Sequence, residues 1–311
     1  MPQGLPLVSI VTPSLNQGGF IEETILSIKN QAYSNIEHII VDGGSTDNTL
    51  DIIKKYDGTY NMRWLSEPDE GQSAAINKGW RMAKGEIIAY INSDDTYMPW
   101  AVETAVTFFA EHPDTSMVYG DCNFIGEHGK LFRQYRPVEF DLKKFLCQGS
   151  IIPQPTVFLR KDILDNVGYL DTNLHMSMDA DFWFRIGLRH KIQYIPTILA
   201  MFRLIPGTKS TSEGYKFSQD YLHILGKIFS DPTLPEELRR LERRAYGRAY
   251  FNACLACCRR RQIKLAYRHL VKSIVLYPMN LLKLLREAPL FAVYLLGIKS
   301  TSATQSVRNK D

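Results

Sequence analysis

Asn92-Ser93-Asp94-Asp95 is the segment of this chain whose residue types most directly suggest chemistry. Adjacent carboxylates in a loop are costly unless they are solvated or hold a cation. Mg²⁺ or Mn²⁺ takes one or two carboxylates and fills its shell with water and the phosphate oxygens of a substrate. The same residues would also make a turn and a cap for the helix that Pro99 opens. Asp42-Gly43-Gly44 is a second such segment. Its carboxylate can accept from an N–H edge or a ribose hydroxyl, and its glycines let the backbone approach a ligand; it would equally make a tight, Asp-capped turn. Asp179 and Asp181, in MSMDADFWFRIG, are the third. There one carboxylate can face a cleft while Phe182 and Trp183 anchor a helix, or both can simply favour a helix N-terminus.

Such groups act together only if the fold gathers them. Leu7–Thr12, Ile36–Val41, Met62–Ser66, Glu86–Ile91 and Met117–Tyr119 read as strands, the first as a short apolar, β-branched run of buried type and the third as the weaker one. Helical patterns over Phe20–Gln31, Asn48–Tyr56, Gln72–Ala83 and from Pro99 onward alternate with them. That alternation predicts an α/β fold with a mostly parallel sheet flanked by helices. Ligands of such sheets bind beyond the carboxyl ends of the strands. Thr12-Pro13-Ser14, Asp42-Gly43-Gly44 and Asn92–Asp95 each follow a strand, so they should converge on one edge. Neither GxGxxG nor GxxxxGK[ST] is present at these positions. Residues 121–150 read as an irregular or hairpin section with a turn at Gly126–Gly129, and Ile192–Phe202 as extended. From about residue 214 the pattern is helical: Tyr215–Phe229, Pro235–Arg259, Gln262–Leu276 and Pro278–Ile298. PGTKSTSEG, at 206–214, marks the change, giving regions 1–212 and 213–311.

Four segments in order, PLVSIVTPSLNQGGFIEETILSIKNQ, IEHIIVDGGSTDNT, EPDEGQSAAINKGWRMAKGEIIAYINSDD and MDADFWFRIG, resemble the inverting family 2 glycosyltransferases over roughly residues 5–210. The resemblance implies a GT-A (Rossmann-like) fold for 1–212 and transfer of a sugar from a nucleotide-diphosphate donor, expected to be UDP-linked, to a hydroxyl of a glycan or lipid-linked saccharide. It implies a first nucleotide loop of Thr12, Pro13, Ser14 and Asn16, with Asp42 on the base. Asp69-Glu70-Gly71-Gln72, Asn77-Lys78, Asn92 and Ser93 would lie near the nucleotide and sugar. Asp94, supported by Asp95, would hold Mn²⁺ or Mg²⁺, and Asp179 would be the catalytic base. Asp181, Gln154, His175, Trp183, Arg203 and Lys209 would serve the acceptor side or support it. Three positions depart from the family pattern. Asn92 replaces the first Asp of the D-x-D motif, Met178 replaces the Glu before Asp179, and Ile205 stands where a His is common. Arg203 or Lys209 would then be the phosphate partner. Gln154, between two prolines, and the lone His175 would equally be structural.

Composition sets the remaining limits. With 311 residues, 45% hydrophobic and 23% charged, the chain belongs with folded globular proteins, which excludes disordered and collagen-like classes. Its net +4 conceals a division: 213–311 carry 18 Lys/Arg against 8 Asp/Glu, and 1–212 carry 19 against 25. Arg239, Arg240, Arg243, Arg244 and Arg248, continued by Arg259–Arg261, Lys264, Arg268 and Lys272, read as a basic helical face, with Leu270, Ile274, Leu281, Leu282, Leu284 and Leu285 on the other side. Such a region docks on an anionic membrane surface or packs as a solvated bundle; nucleic acid binding is not expected. Five cysteines without a regular framework point to reduced thiols. The N-terminus reads as lacking a signal peptide and no run reaches spanning length, so the expectation is cytoplasmic, peripheral at the inner membrane face. A degenerate nucleotide- or sugar-binding module, or a nucleotidyltransferase or nicotinamide oxidoreductase on a similar sheet, are the competing readings.

Overall fold

The computed structural model describes residues 4–149, 151–205 and 214–285. Contacts divide it into two units, one drawn from Met1–Leu142 and Ser150–Ser212, the other from Lys143–Gly149 and Glu213–Asp311. Against the sequence-based division, residues 143–149 belong with the helical unit.

The first unit is an α/β sheet protein of the expected class. Its strands are β1 (Val8–Ser14), β2 (Ile36–Asp42), β3 (Met62–Ser66), β4 (Ile87–Tyr90), β5 (Thr96–Tyr97), β6 (Thr115–Ile125), β7 (Leu131–Tyr135), β8 (Phe158–Arg160) and β9 (Lys191–Arg203). Among the described residues they form one sheet in the order β3-β2-β1-β4-β8-β6-β9-β5, with β7 on β6. β3-β2-β1-β4 run parallel, as crossover helices require. β8 then joins antiparallel to β4 and β6, which leaves β6 and β9 pointing the same way as β4. β1, β2 and β4 are buried along their whole length; β4 is apolar apart from the Tyr90 hydroxyl, while β1 and β2 also bury polar residues that pair with one another, Ser9 with Glu37 and Thr12 with His38.

Helices α1 (Ile21–Lys29), α2 (Thr49–Tyr56), α3 (Gln72–Met82) and α4 (Ala101–Glu111) cover the parallel part, each with an apolar face inward. Two apolar clusters result. One joins β1, β4, β6, β8 and β9 to α4, and the other joins β2 and β3 to α1 and α2. α3 reaches β1 through Gly79, where a Cβ would sit 2.4 Å from a Val11 methyl; only hydrogen allows that approach. α6 (Ile163–Val167) and α7 (Met178–Gly187) complete this unit.

The second unit is helical: α5 (Leu142–Gln148), α8 (Gly214–Ser230), α9 (Glu236–Arg239), α10 (Glu242–Arg259) and α11 (Ile263–Leu276). The helix expected over Pro235–Arg259 is interrupted between Arg239 and Glu242. Tyr221 Oη donates to the carbonyls of Phe145 and Leu146, which ties α5 into this unit. α10 and α11 pack through Cys254, Cys257, Cys258 and Ala266. The three thiols are unpaired and buried, and burial raises each above its usual range. They act here as small hydrophobes.

Candidate active site

Three chain segments build the site because three parallel strands end on the same edge. β1 ends at Pro13-Ser14, α3 begins at Gly71-Gln72, and β4 runs into Asn92–Asp95. Together with Leu15, Gln17, Asp69, Ala75, Phe202 and Arg203, these residues line a cavity of about 320 Å³. Gly71, at φ +107°, opens α3 on this wall. Gly43 lets Asp69 come in, since a Cβ there would lie 2.8 Å from its carboxylate. Ser14 Oγ is buried in this wall without a hydrogen-bond partner, the state of a donor that awaits a ligand.

The acidic pair sits at the cavity's base. Asp95 is 1% exposed, and its carboxylate accepts from the Arg203 backbone N–H at 2.8 Å and from Asn92 Nδ2 at 3.4 Å. Burial, then the Asp94 charge beside it, pushes Asp95 well above the carboxylate range; burial also raises Asp94, against a smaller opposing effect of Arg203. Two crowded carboxyls that both resist ionisation are what a divalent cation relieves, and every donor here is oxygen. Asp94 and the more deeply buried Asp95, both on the cavity wall, therefore fit a hard divalent cation such as Mg²⁺ or Mn²⁺ completed by other oxygens. Among the described residues no group of three or more His, Cys, Asp or Glu is close enough for an all-protein site.

Asp179 lies at the start of α7, half-buried and outside the residues that line the cavity, and Tyr90 Oη donates to its carboxylate. Burial raises Asp179 to about 6, while the Tyr90 hydrogen bond pulls the other way. Tyr90 is the last residue of β4, so the strand that delivers Asn92–Asp95 also holds Asp179. Gln154 closes this link, donating to the Tyr90 carbonyl at 2.8 Å and lying 3.4 Å from Asn92 Nδ2. Gln72 Nε2 reaches Asn92 Oδ1 at 2.6 Å from the cavity side.

Other sequence-selected residues lie elsewhere. Thr12 is fully buried and turned to His38 Nε2 at 2.9 Å, away from the cavity. Asp42 has no exposed surface and accepts from Gly44 N, Ser45 N, Ser45 Oγ and Ser66 Oγ. A carboxylate offers about four acceptor positions, so Asp42 organises the 43–45 turn and has little left for a base. Asn16 (φ 52°) braces Thr46 N through its Oδ1. Asn77 spends its amide on both backbone groups of Leu170, at 2.8 and 3.0 Å, rather than on the cavity.

Asp181 pairs with Arg185 at 2.8 Å, and Arg185 holds the carbonyls of Val167 and Tyr169. Trp183 has no exposed surface and packs on Phe182, which meets Trp80; it is core. His175 is exposed and outside the cavity lining.

Arg203 lines the cavity but spends its guanidinium on the carbonyls of Asp94, Gly126 and Glu127 and on Glu23, so the structure makes it a clamp rather than a phosphate partner. Lys209 lies outside the described residues. Met178 is buried with Ser73 Oγ on its sulfur, so no acidic group takes the expected Glu position.

Sequence reasoning missed Tyr90, Leu15, Gln17 and Phe202. Tyr90 carried a usable signal, an OH-bearing residue at the end of an otherwise aliphatic strand. Phe202 carried none, because its place on the wall depends on β9 pairing with β6.

The model of glycosyl transferase family 2 matches residues 9–168, just over half of the chain, and the chain belongs to that family. An uncharacterized glycosyltransferase of Methanocaldococcus jannaschii is 28% identical over 208 residues, covering 64% of this chain and 71% of its own length. A PGL/p-HBAD biosynthesis glycosyltransferase of Mycobacterium bovis is 28% identical over 211 residues, 66% of this chain and 80% of its own.

The fold resembles S. aureus TarS 1-349 in complex with UDP-GlcNAc, with a TM-score of 0.62 at 19% identity over 87% of this chain and 89% of that one. The chain spans 54% of the longer TarS structure. The mannosyltransferase PcManGT of Pyrobaculum calidifontis, in complex with GDP-Man and Mn²⁺, aligns at TM-score 0.63 and 18% identity, over 100% of this chain and 89% of that one. These likenesses establish the GT-A fold.

Proposed function

We propose that this glycosyltransferase moves a hexosyl or N-acetylhexosaminyl group, with inversion, from a nucleoside-diphosphate sugar to a hydroxyl of a glycan or lipid-linked saccharide. The observation that carries the reading is β4, which delivers the acidic pair to the cavity and holds Asp179 through Tyr90. The donor's nucleotide occupies the cavity between β1 and α3, with Ser14 Oγ and Gln72 as polar partners. The acceptor oxygen attacks the anomeric carbon from the face opposite the diphosphate. As that bond forms, the bond to the diphosphate breaks and its electron pair leaves with the phosphate. Asp179 takes the acceptor's proton; with its acidity near 6 it is ionised at neutral pH and basic enough to do so. Asp94, with the more deeply buried Asp95, would hold a divalent cation, which when bound supplies Lewis-acid stabilisation of the departing charge.

We place the work in cell-surface polysaccharide synthesis at the cytoplasmic face of a membrane. The basic helical unit and the name of the mycobacterial relative support this. No described helix is long and apolar enough to cross a membrane. Asn92, Met178 and Ile205 favour a second reading, a binding module without turnover. One experiment separates the two. Thermal melting is measured with UDP, GDP, dTDP and CMP, with and without Mn²⁺, and hydrolysis of the matching nucleotide sugars is then assayed. Stabilisation with slow hydrolysis lost in Asp179→Asn supports the enzyme. Stabilisation without turnover toward any acceptor supports the module. If no nucleotide stabilises the chain, both readings are wrong.

A further inference from the structure

α11 (Ile263–Leu276) has an inner side and an outer side of unlike chemistry. Its inner side is ordinary core: Ala266 and Ser273 are buried, and Leu265 and Leu270 pack on the cysteine cluster. Ser273 Oγ and Asn280 Nδ2 bond to the Gly247 carbonyl at 2.8 and 2.9 Å, which fixes the rotation of α11 on α10. With that rotation set, the outer side is determined.

It carries Ile263, Tyr267, Val271 and Val275 at 48, 68, 42 and 65% exposure, followed by Met279 at 54%. These residues recur every fourth position, so they form one continuous stripe. Lys264, Arg268 and Lys272 each follow a stripe residue by one position and are exposed, Lys272 with its ammonium 5.1 Å from the centroid of the Tyr250 ring of α10. At 100° per residue they make a parallel basic stripe on the same outward half. α11 contains no Asp or Glu. The sequence pattern alone put the apolar side, Leu270 and Ile274, opposite the basic residues. The structure turns those two partly inward and sets a different apolar stripe beside the charges.

Large apolar residues in this number and regularity are not left in water without a partner. The chemistry of the flanking stripe says which partner. Three cations beside an apolar band, with long aliphatic stems that can lie along it, match an interface that is apolar below and anionic above. We propose that the outward half of α11 is a docking surface for an anionic lipid bilayer. The stripe sinks into the acyl boundary and Lys264, Arg268 and Lys272 reach the phosphate headgroups. The surface identifies the lipid-facing side of the helical unit, a step beyond the proposed sugar transfer, and does not depend on it.

The test is flotation of the full-length chain with vesicles of phosphatidylcholine alone and with phosphatidylglycerol added. The wild-type chain should float with the anionic vesicles and not with the neutral ones. Lys264→Gln/Arg268→Gln/Lys272→Gln should partition roughly a hundredfold less, at about fivefold per lost charge. Val271→Ser/Val275→Ser should also lose binding. Val271→Leu/Val275→Leu, a change that keeps the helix apolar, should gain roughly fourfold per added methylene. Nucleotide-induced stabilisation should be the same in all variants, which separates this result from the enzymatic reading. Absence of flotation, or equal flotation with neutral vesicles, overturns the proposal. So does flotation indifferent to all three variants, which would assign binding to residues outside α11. A dimer in sedimentation that Val271→Ser/Val275→Ser dissolves would give the face to a second copy and also overturns it.

Discussion

Asp179 and Asp94 are both carboxyls raised by burial, and the proposed function gives them different work. Asp179 has one phenol on it and an acidity near 6. A base must be deprotonated to act, so turnover should be flat at neutral pH and fall tenfold per unit below about 6. Asp179→Asn should lower kcat by about 10²-fold or more with little change in donor affinity. The Tyr90 hydrogen bond favours the ionised carboxylate, so Tyr90→Phe should move the acid limb of the kcat–pH profile to higher pH. A limb that stays in place would remove Tyr90 from the mechanism.

Asp94 instead shares its loop with another carboxyl. Asp94→Asn should weaken nucleotide binding in Mn²⁺ by more than about tenfold in calorimetry. It should not lower the melting temperature of the unliganded chain, because it removes a charge that Asp95 resists.

β9 shows what one element does for the site. Its last residue, Arg203, is 3% exposed and connects α1 through Glu23, the acidic loop through the Asp94 carbonyl, and the β6–β7 turn through Gly126 and Glu127. Glu23 is over half exposed, so the ion pair itself contributes modestly. The carbonyl bonds, left unpaired in a substitution, contribute more. Arg203→Met should cost about 3 kcal/mol in denaturant unfolding, and nucleotide affinity should fall as the 94–95 loop loosens. Lys cannot reproduce the fork and should rescue little of the loss. Equal stability of Arg203→Met and wild type would show that the clamp is dispensable.

The whole molecule has a consequence for where it can be cut. A boundary near 212, which the sequence suggests, separates α5 from its partners. Phe145, Leu146 and Cys147 are buried, and Tyr221 of α8 holds the Phe145 and Leu146 carbonyls. A chain ending at 212 should therefore aggregate more than full-length protein in size-exclusion chromatography, and Phe145→Ser/Leu146→Ser should restore much of its solubility. If that truncated chain is monodisperse without those changes, α5 is not held as the structure indicates.

Much of this was legible in the residues themselves. Ile87–Ala89 of β4 and Ile39–Val41 of β2 are apolar over consecutive positions, as strands buried on both faces tolerate, and the spacing of the strands called for helical crossovers. That local periodicity, with the polar triplets after each strand, determined the α/β class and the edge on which chemistry would collect. Individual roles were not legible, because a side chain's role depends on which neighbours use its donors and acceptors. Asp42 and Asp94 are alike in sequence, each after a strand, yet Asp42 is satisfied by three donors of its own turn and by Ser66 of β3, while Asp94 lines the cavity. Asn77 went to Leu170, Arg203 became a clamp, and Tyr90 acquired Asp179 from 89 residues away. Local sequence sets which element forms; tertiary contact alone decides which polar groups remain free, since hydrogen-bond capacity is finite and distant segments compete for it.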